Sequence, residues 1–405
     1  MTQKVVIIGH GFTSRLAVLR SVAQIGCEVT VIVMTGYKRF CQKLDTTKPE
    51  DCYSKYVSHV HYCYNSDANR LLNILLEECI DQQQKVILIP ISDFSAAVID
   101  ENQEKLKDHF LFPHIHHQSG AIVAWMDKIR QKQLAIDVGM NVTDSCVVNV
   151  TNHLFTLPEG IKYPCFTKPL TSIEGGKRCL KRSNNEEELR DVLTKAGSKF
   201  DIRVLVEDFK SISTEYAVLG YSDGIEVIIP AVVKFITGSK SHPGIAMQGE
   251  IMPTTGFEDI ISKFKEYVRQ IGFVGIFDID FFESEGKLYF GELNLRFGGS
   301  GSAVSQMGVN LPGMLVKALR GDSIDEMNKE VNNSAIYVND RMCMDDWYMS
   351  YITTKQYHKY LQTADITFVK DNDDPAPYAM MKKEYRRTYI KRIIRKLARK
   401  TKILR

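Results

Sequence analysis

Two apolar runs, Gly275–Glu283 and Lys287–Asn294, are separated by Ser284-Glu285-Gly286, and the second continues as Leu295-Arg296-Phe297-Gly298-Gly299-Ser300-Gly301. Short β-rich runs around a glycine-containing turn predict an antiparallel hairpin. Side chains alternate along a strand, so Glu292, Asn294 and Arg296 share one face, and Asp278 and Asp280 share a face of the partner strand. Oxygen-bearing side chains converging from paired strands, in a run otherwise filled by Ile, Phe and Leu, suit a hard divalent cation. Magnesium takes carboxylate oxygens and leaves the rest of its shell to phosphates. A solvated strand face is the plainer alternative, and strict alternation ending in Gly298-Gly299 argues against it.

The first 115 residues have a different pattern. Lys4–Ile8 is a β-branched run, Gly9-His10-Gly11-Phe12-Thr13-Ser14 turns, Arg15–Ile25 has helical spacing, and Val29–Val33 is a second apolar run. A helix from Ala68 to Cys79 and the run Lys85–Pro90 continue the alternation, which predicts a Rossmann-like α/β domain with a buried parallel sheet. A glycine turn between strand and helix offers backbone N–H groups to an anion. Met34-Thr35-Gly36 stands where a dinucleotide site would place an acid for the ribose, which argues against the rival reading of a nicotinamide or flavin oxidoreductase and leaves a plain tight turn or an anion site for another ligand. Gly9 and Gly11 are therefore candidates for another substrate.

After Pro113 the expected elements are a helix carrying Trp125, Ile129, Leu134 and Ile136, then strands at 146–150, 165–168 and 177–180. Helices at 186–196 and 259–271 flank further strands, an α+β arrangement.

The chain resembles the ATP-grasp superfamily from about residue 115 to 320. That resemblance implies Rossmann-like residues 1–115 before the ATP-grasp domains, a small subdomain over 116–205 and a large one over 206–325. A C-terminal extension (326–381) and a basic helical tail (382–405) follow. It implies ATP and two magnesium ions, with Mn2+ an alternative, held by Asp280, Glu292 and Asn294. Trp125-Met126-Asp127-Lys128 and Phe166-Thr167-Lys168-Pro169 resemble the segments that bring two lysines to the phosphates, Lys128 and Lys168. In the run Val204–Val218, Glu207 resembles the acid at the adenine edge and Glu215 the one at the ribose. Thr171–Lys177 fits a glycine-rich lid, with Lys177 either solvated or on phosphate.

The implied reaction activates a carboxylate as an acylphosphate and lets an amine attack it, with ADP and phosphate as products. Arg296 is the candidate catalytic clamp on the carboxylate, or else a salt-bridge partner of Glu292. Gly9, Gly11, Asp93 and Arg296 are the candidate substrate residues, and Asp93 reads equally as an ammonium acceptor or a helix N-cap. The loop 238–249 and residues 90–93 are expected to border the acceptor pocket; Lys234, Lys240 and His242 are candidate phosphate or substrate contacts, with loop solvation the favoured alternative for Lys240 and His242. Asp278 and the segment ending in Arg296 depart from D-alanine ligases and lie closer to carboxylate-amine ligases and carbamoyl phosphate synthetase-like enzymes. Asp345–Tyr351 and Phe368–Tyr378 are weakly similar to D-aspartate ligase-like proteins, which points to an amino acid joined to a cell-envelope glycan or peptide precursor, lipid-linked or nucleotide-linked. An ATP-binding scaffold or sensor on a membrane is the non-enzymatic alternative.

The net charge of +3 hides an asymmetry. Residues 382–405 hold twelve Lys or Arg against Glu384, a net +11, which leaves −8 on residues 1–381. An acidic body argues against nucleic acid as a partner. Tyr389, Ile390, Ile393, Ile394 and Leu397 fall on one helical face of the tail and Arg392, Arg395, Lys396 and Arg399 on the other, which suits either anionic lipid or packing onto the body. Nine scattered cysteines without a C-x-x-C pair fit a reduced chain. With no signal segment legible, the expected location is cytoplasmic, peripheral to the inner membrane face; a homodimer is compatible.

Overall fold

The computed structural model of the chain describes residues 2–37, 43–173, 179–198 and 201–387. Strands β1 (Lys4–Gly9), β2 (Glu28–Thr35), β3 (Val57–Tyr64), β4 (Val86–Pro90) and β5 (Phe110–Leu111) form a parallel sheet in the order β3-β2-β1-β4-β5. Val5, Ile7, Ile8, Val31 and Ile87 are fully buried, as a sheet covered on both faces requires. The first turn is built for close approach. Gly9 has φ +149° and Gly11 φ +119°, and a Cβ on Gly9 would lie 2.7 Å from Ile91 Cγ1. The buried Arg15 donates to the Gly9 carbonyl at 3.0 Å and pairs with Asp51 at 2.5 Å, so one ion pair fixes the turn from beneath.

The short β6 (His114–Ile115) carries the chain across to the largest sheet, where it pairs with a later strand at Phe273 and Val274. Next comes a four-stranded antiparallel sheet of β7 (Ser145–Val150), β8 (Cys165–Pro169), β9 (Lys181–Ser183) and β10 (Ile202–Asp208), ordered β7-β10-β8-β9. The helix Glu186–Ala196 covers it with Leu189, Val192, Leu193 and Ala196, and Asn185 caps that helix by accepting from the Glu188 N–H. The expected strand at 177–180 is displaced: Cys179 and Leu180 precede β9, which pairs Ser183 with Cys165, while residues 177 and 178 lie outside the described residues.

The largest sheet contains β11 (Thr214–Asp223), β12 (Val227–Ile228), β13 (Val232–Gly238), β14 (Ala246–Met252), β15 (Phe273–Ser284) and β16 (Lys287–Asn294). The helix Glu258–Ile271 packs on one face through Phe264, Tyr267 and Val268 against Phe277, Phe281 and Phe290. Each of these phenylalanines is buried, and burial of one such side chain contributes about 1.5–3 kcal/mol. The opposite face, with Leu219, Tyr221, Val233 and Ile276, shares a core with the helix Phe12–Ala23 of the first unit. The acid-bearing hairpin is thereby turned toward the glycine turn.

The C-terminal region extends this sheet. β17 (Ala335–Val338) lies antiparallel to β14, and β18 (Ile366–Thr367) runs parallel to β17. Arg20 clamps the region to the first unit through Asp374 at 3.0 Å and the Val369 carbonyl at 3.0 Å. Residues 388–405, and with them the apolar and basic stripes expected of the tail, lie outside the described residues. Among the described residues no helix is long and apolar enough to cross a membrane.

Candidate nucleotide and metal site

The hairpin places its acids in register. Asp280 sits opposite Glu292 and Asp278 opposite Asn294 in the β15–β16 ladder, so all four side chains leave one face. β11 pairs Glu215 with Phe282 and Ala217 with Asp280, which puts Glu215 on that same face, exposed, at the strand's outer end. The hairpin runs from Phe273 to Ser284 and from Lys287 to Asn294, slightly longer on its first strand than its apolar run.

A single helix joins this hairpin to the smaller sheet. The expected long helix through Trp125 is two: a turn at Ala121–Ala124, then Lys128–Asp137, capped by Asp127 accepting from Ile129 and Arg130. Its buried residues are Lys128, Gln131, Lys132 and Ala135, while Ile129 and Ile136 are exposed. Residues four apart lie on one helix face. Lys128 Nζ reaches Glu292 Oε1 at 3.0 Å, and Lys132 meets Glu207 of β10. Gln131 fastens the helix to the hairpin by donating to the Leu293 carbonyl at 2.9 Å and accepting from its N–H at 3.0 Å.

Glu207 is the hub of the second half. Its carboxylate pairs with Lys168 Nζ of β8 at 2.9 Å, accepts from Thr143 Oγ1 at 2.9 Å and pairs with Lys132. Burial alone would raise its pKa, but Lys168 and Lys132 outweigh burial and hold it below the usual range. Burial pushes the Lys132 ammonium down, and the attraction of Glu207 only partly offsets that. The Lys132 ammonium also donates to the Thr143 carbonyl at 2.8 Å. Neither Lys132 nor Thr143 was singled out from sequence; the signal available was the four-residue spacing from Lys128.

At the other end Arg296 links hairpin to glycine turn. Its Nε donates to Asp93 Oδ1 at 2.7 Å and its Nη2 to Asn294 Oδ1 at 3.3 Å. The alternative of a salt bridge from Arg296 to Glu292 is not what the structure has: Arg296 pairs with Asp93, and Glu292 with Lys128. Asp93 is not the cap of its helix either. Ser92 caps Asp93–Glu101 in a reciprocal box with Ser95, which leaves the Asp93 carboxylate free for Arg296. His10, between Gly9 and Gly11, is pushed below its usual pKa by desolvation and then by the Arg296 charge, which places the turn beside this pair.

Asp280, Glu292 and Asn294 put two carboxylates and an amide on one face, a donor set that fits a hard cation, with Asp278 beside it and not part of it. Asp278 is 7% exposed and its Oδ1 has no hydrogen-bond partner; burial lifts its carboxyl to about 6. Burial, then the neighbouring Asp278 and Glu292, lifts the Asp280 carboxyl well above its usual value. A buried carboxylate with two part-buried ones crowded against it calls for positive charge. Among the described residues no three His, Cys, Asp or Glu side chains form a metal cage by themselves. Ser172, at the start of the segment expected to be a lid, donates to Glu292 Oε1 at 3.0 Å, and residues 174–178, Lys177 among them, lie outside the described residues.

Beyond the site, His242 meets Asp345 at 3.1 Å, and Asp346 takes the Lys240 and Ser241 N–H groups at 2.9 and 2.7 Å. The loop that carries Lys240 and His242 is thus moored to the helix Asp340–Tyr348 of the C-terminal region. Lys234 lies on β13 opposite Tyr216.

Residues 133–311 match the family model described as the ATP-grasp domain, and the chain carries an ATP-grasp domain. The chain is 25% identical over 212 residues to the carbamoyl phosphate synthase large chain of Gemmatimonas aurantiaca, a match covering 51% of this chain and 19% of that protein. The chain therefore spans about a fifth of the length of that relative. Among solved structures, the biotin carboxylase domain of Hydrogenobacter thermophilus 2-oxoglutarate carboxylase, in complex with MgADP, ADP and bicarbonate, superposes with TM-score 0.63 at 18% identity, over 83% of this chain and 74% of that one. L-amino acid ligase from Bacillus licheniformis superposes with TM-score 0.60 at 15% identity, over 83% and 79%. These likenesses establish a shared fold.

Proposed function

We propose that the chain is an ATP- and magnesium-dependent ligase that activates a carboxylate as its acylphosphate and joins it to an amine, releasing ADP and phosphate. The observation that carries this reading is the helix Lys128–Asp137, which delivers one lysine to the metal-type acid Glu292 and, four residues on, another to Glu207 beside Lys168. A triphosphate entering between the two sheets would meet Lys128 and Lys168 as phosphate partners already aligned by their carboxylates. Its adenine edge would fall at Glu207 and its ribose at the exposed Glu215. Asp280, Glu292 and Asn294 would hold magnesium, which when bound neutralises the phosphates and polarises the transferred group.

The chain's own residues supply position and charge. Lys128 and Lys168 balance the phosphate oxygens. Arg296, its Nε held by Asp93 and its Nη2 on Asn294, is placed to orient the substrate carboxylate. The glycine turn at Gly9 and Gly11 forms the far wall. None of these steps asks for a protein nucleophile. A biotin carboxylase domain in complex with MgADP and bicarbonate and an L-amino acid ligase share this fold.

The finer reading, an amino acid joined to a cell-envelope precursor, is supported by the short resemblances in the C-terminal region, and the tail's charge supports contact with anionic lipid. Incubation with ATP, Mg2+ and pairs of carboxylates and amines should give ADP and phosphate only when both substrates are present. Release of AMP and pyrophosphate would refute the acylphosphate route. Sedimentation of the full chain with anionic vesicles, lost on deletion of 382–405, tests the tail.

A further inference from the structure

We propose that Asp278 binds the ammonium form of the acceptor amine and thereby selects a cationic primary amine as the second substrate; the proposal rests on the ligase reading above. Four acids and two bases crowd the hairpin's end, and their pairing is unequal. Glu292 has Lys128 at 3.0 Å and Asp93 has Arg296 at 2.7 Å. Asp280 faces Glu292 across the ladder and belongs to the metal-type set. Asp278 feels the charge of Arg296, but that guanidinium is already paired with Asp93. Asp278 makes no ion pair among the described residues, its Oδ1 is buried without a hydrogen-bond partner, and Gly298 packs so closely that a Cβ there would overlap Oδ2. A buried carboxylate in that condition calls for a cation delivered with its own hydrogen-bond donors.

Its place along the strands says which cation. Two residues of a β-strand span about 7 Å, so Asp278 lies about that far from Asp280. Asp278 faces Asn294, and Arg296, which donates to Asn294, comes next toward Asp93 and the glycine turn. The order along the site is therefore metal acids, Asp278, then the arginine and glycine turn read as the acceptor wall. A site joining an acylphosphate to an amine receives one organic cation, the ammonium of the amine, and Asp278 stands between the two reacting halves. In the transfer the amine nitrogen bonds the acyl carbon and the carbon–oxygen bond to phosphate breaks. Of the two protons the ammonium gives up, one leaves on the hydrogen phosphate and one goes to solvent.

The test uses the full chain at pH 7.5 and compares wild type with Asp278→Asn. The probes are a panel of primary amines and hydroxylamine, which is uncharged at that pH and traps acylphosphates as hydroxamates. The expected result is a rise of tenfold or more in KM for the amine against a change of less than twofold in KM for ATP. The rate ratio of hydroxylamine to amine should rise tenfold or more. Titration with Mn2+ followed by electron paramagnetic resonance should give the wild-type affinity. Loss of Mn2+ affinity would make Asp278 a metal ligand and overturn the proposal, as would an unchanged KM for the amine. Asp278→Ser, which removes the charge from a smaller side chain, must repeat the pattern. If wild type forms neither ADP nor hydroxamate with any carboxylate, the ligase reading fails, and this proposal with it.

Discussion

Replacing Glu207 by glutamine tests whether the lysines of the nucleotide site are held by one carboxylate. The substitution keeps the shape and removes one negative charge from a place where Lys132 and Lys168 both end, the latter at 2.9 Å. At an effective dielectric constant of about 20, one such contact amounts to roughly 5–6 kcal/mol of Coulomb attraction before desolvation is counted. Removing one partner of a buried pair costs about 3–5 kcal/mol. The loss is bounded because Lys132, whose pKa burial already depresses, can shed its proton and leave Lys168 as the only stranded cation. The expected destabilisation is therefore about 3–5 kcal/mol, confined to the smaller sheet and the helix Lys128–Asp137. Urea unfolding read through Trp125, in a Trp347→Phe background, reports on that region. The sign with pH follows from the shift: the folded-state pKa of Glu207 lies below 4.5, so its contribution is complete above 4.5 and is lost as pH falls through the folded value. The gap between wild type and variant should be widest at neutral pH and close in acid. Adding Lys132→Met to Glu207→Gln should recover part of the loss. A loss under about 1 kcal/mol at pH 7, or a gap that widens in acid, would refute the assigned charge arrangement.

Glu292→Gln takes the partner from Lys128 and an oxygen from the metal-type set, so ADP release should fall by about two orders of magnitude or more; steady-state kinetics over a Mg2+ series check this. Gly9→Ala sets a Cβ 2.7 Å from Ile91 Cγ1 at φ +149°, whereas at Gly11 the nearest atom is 3.8 Å away; Gly9→Ala should therefore be the costlier by about 1–3 kcal/mol in denaturant unfolding. Asp346 is buried, which raises its pKa, but hydrogen bonds led by Ser241 hold it below its usual value. The mooring of residues 239–241 should be intact above pH 3.8 and released as pH falls through the folded value, and Asp346→Ala should release it at neutral pH, both seen as faster amide exchange at Lys240 and Ser241.

The parts of the site that could be read from sequence are those set by local geometry. A strand period of two and one short turn suffice to bring Asp278, Asp280, Glu292 and Asn294 to one face, because antiparallel pairing in a hairpin follows from the turn. The helix carrying Lys128 was legible as a helix but not as to its buried side. Apolar periodicity pointed to Ile129, Leu134 and Ile136, yet Ile129 and Ile136 are exposed and Lys128, Gln131 and Lys132 face inward. The hydrophobic rule fails there because, beside the core that takes Ala135, the face meets Glu292, the Leu293 backbone and Glu207, and such partners lie 75 to 164 positions away. The same limit hid Asp51 beneath Arg15 and Asp93 beside Arg296. Ser92 and Asp93 are both acceptable caps, and only the distant arginine decides which of them is spared for the site. Burial of a charge is decided by its counter-charge, so inverted amphipathicity in a helix beginning Asp-Lys is itself a mark of a binding face: the helix spends its polar residues inward, where a polyanionic ligand would need them.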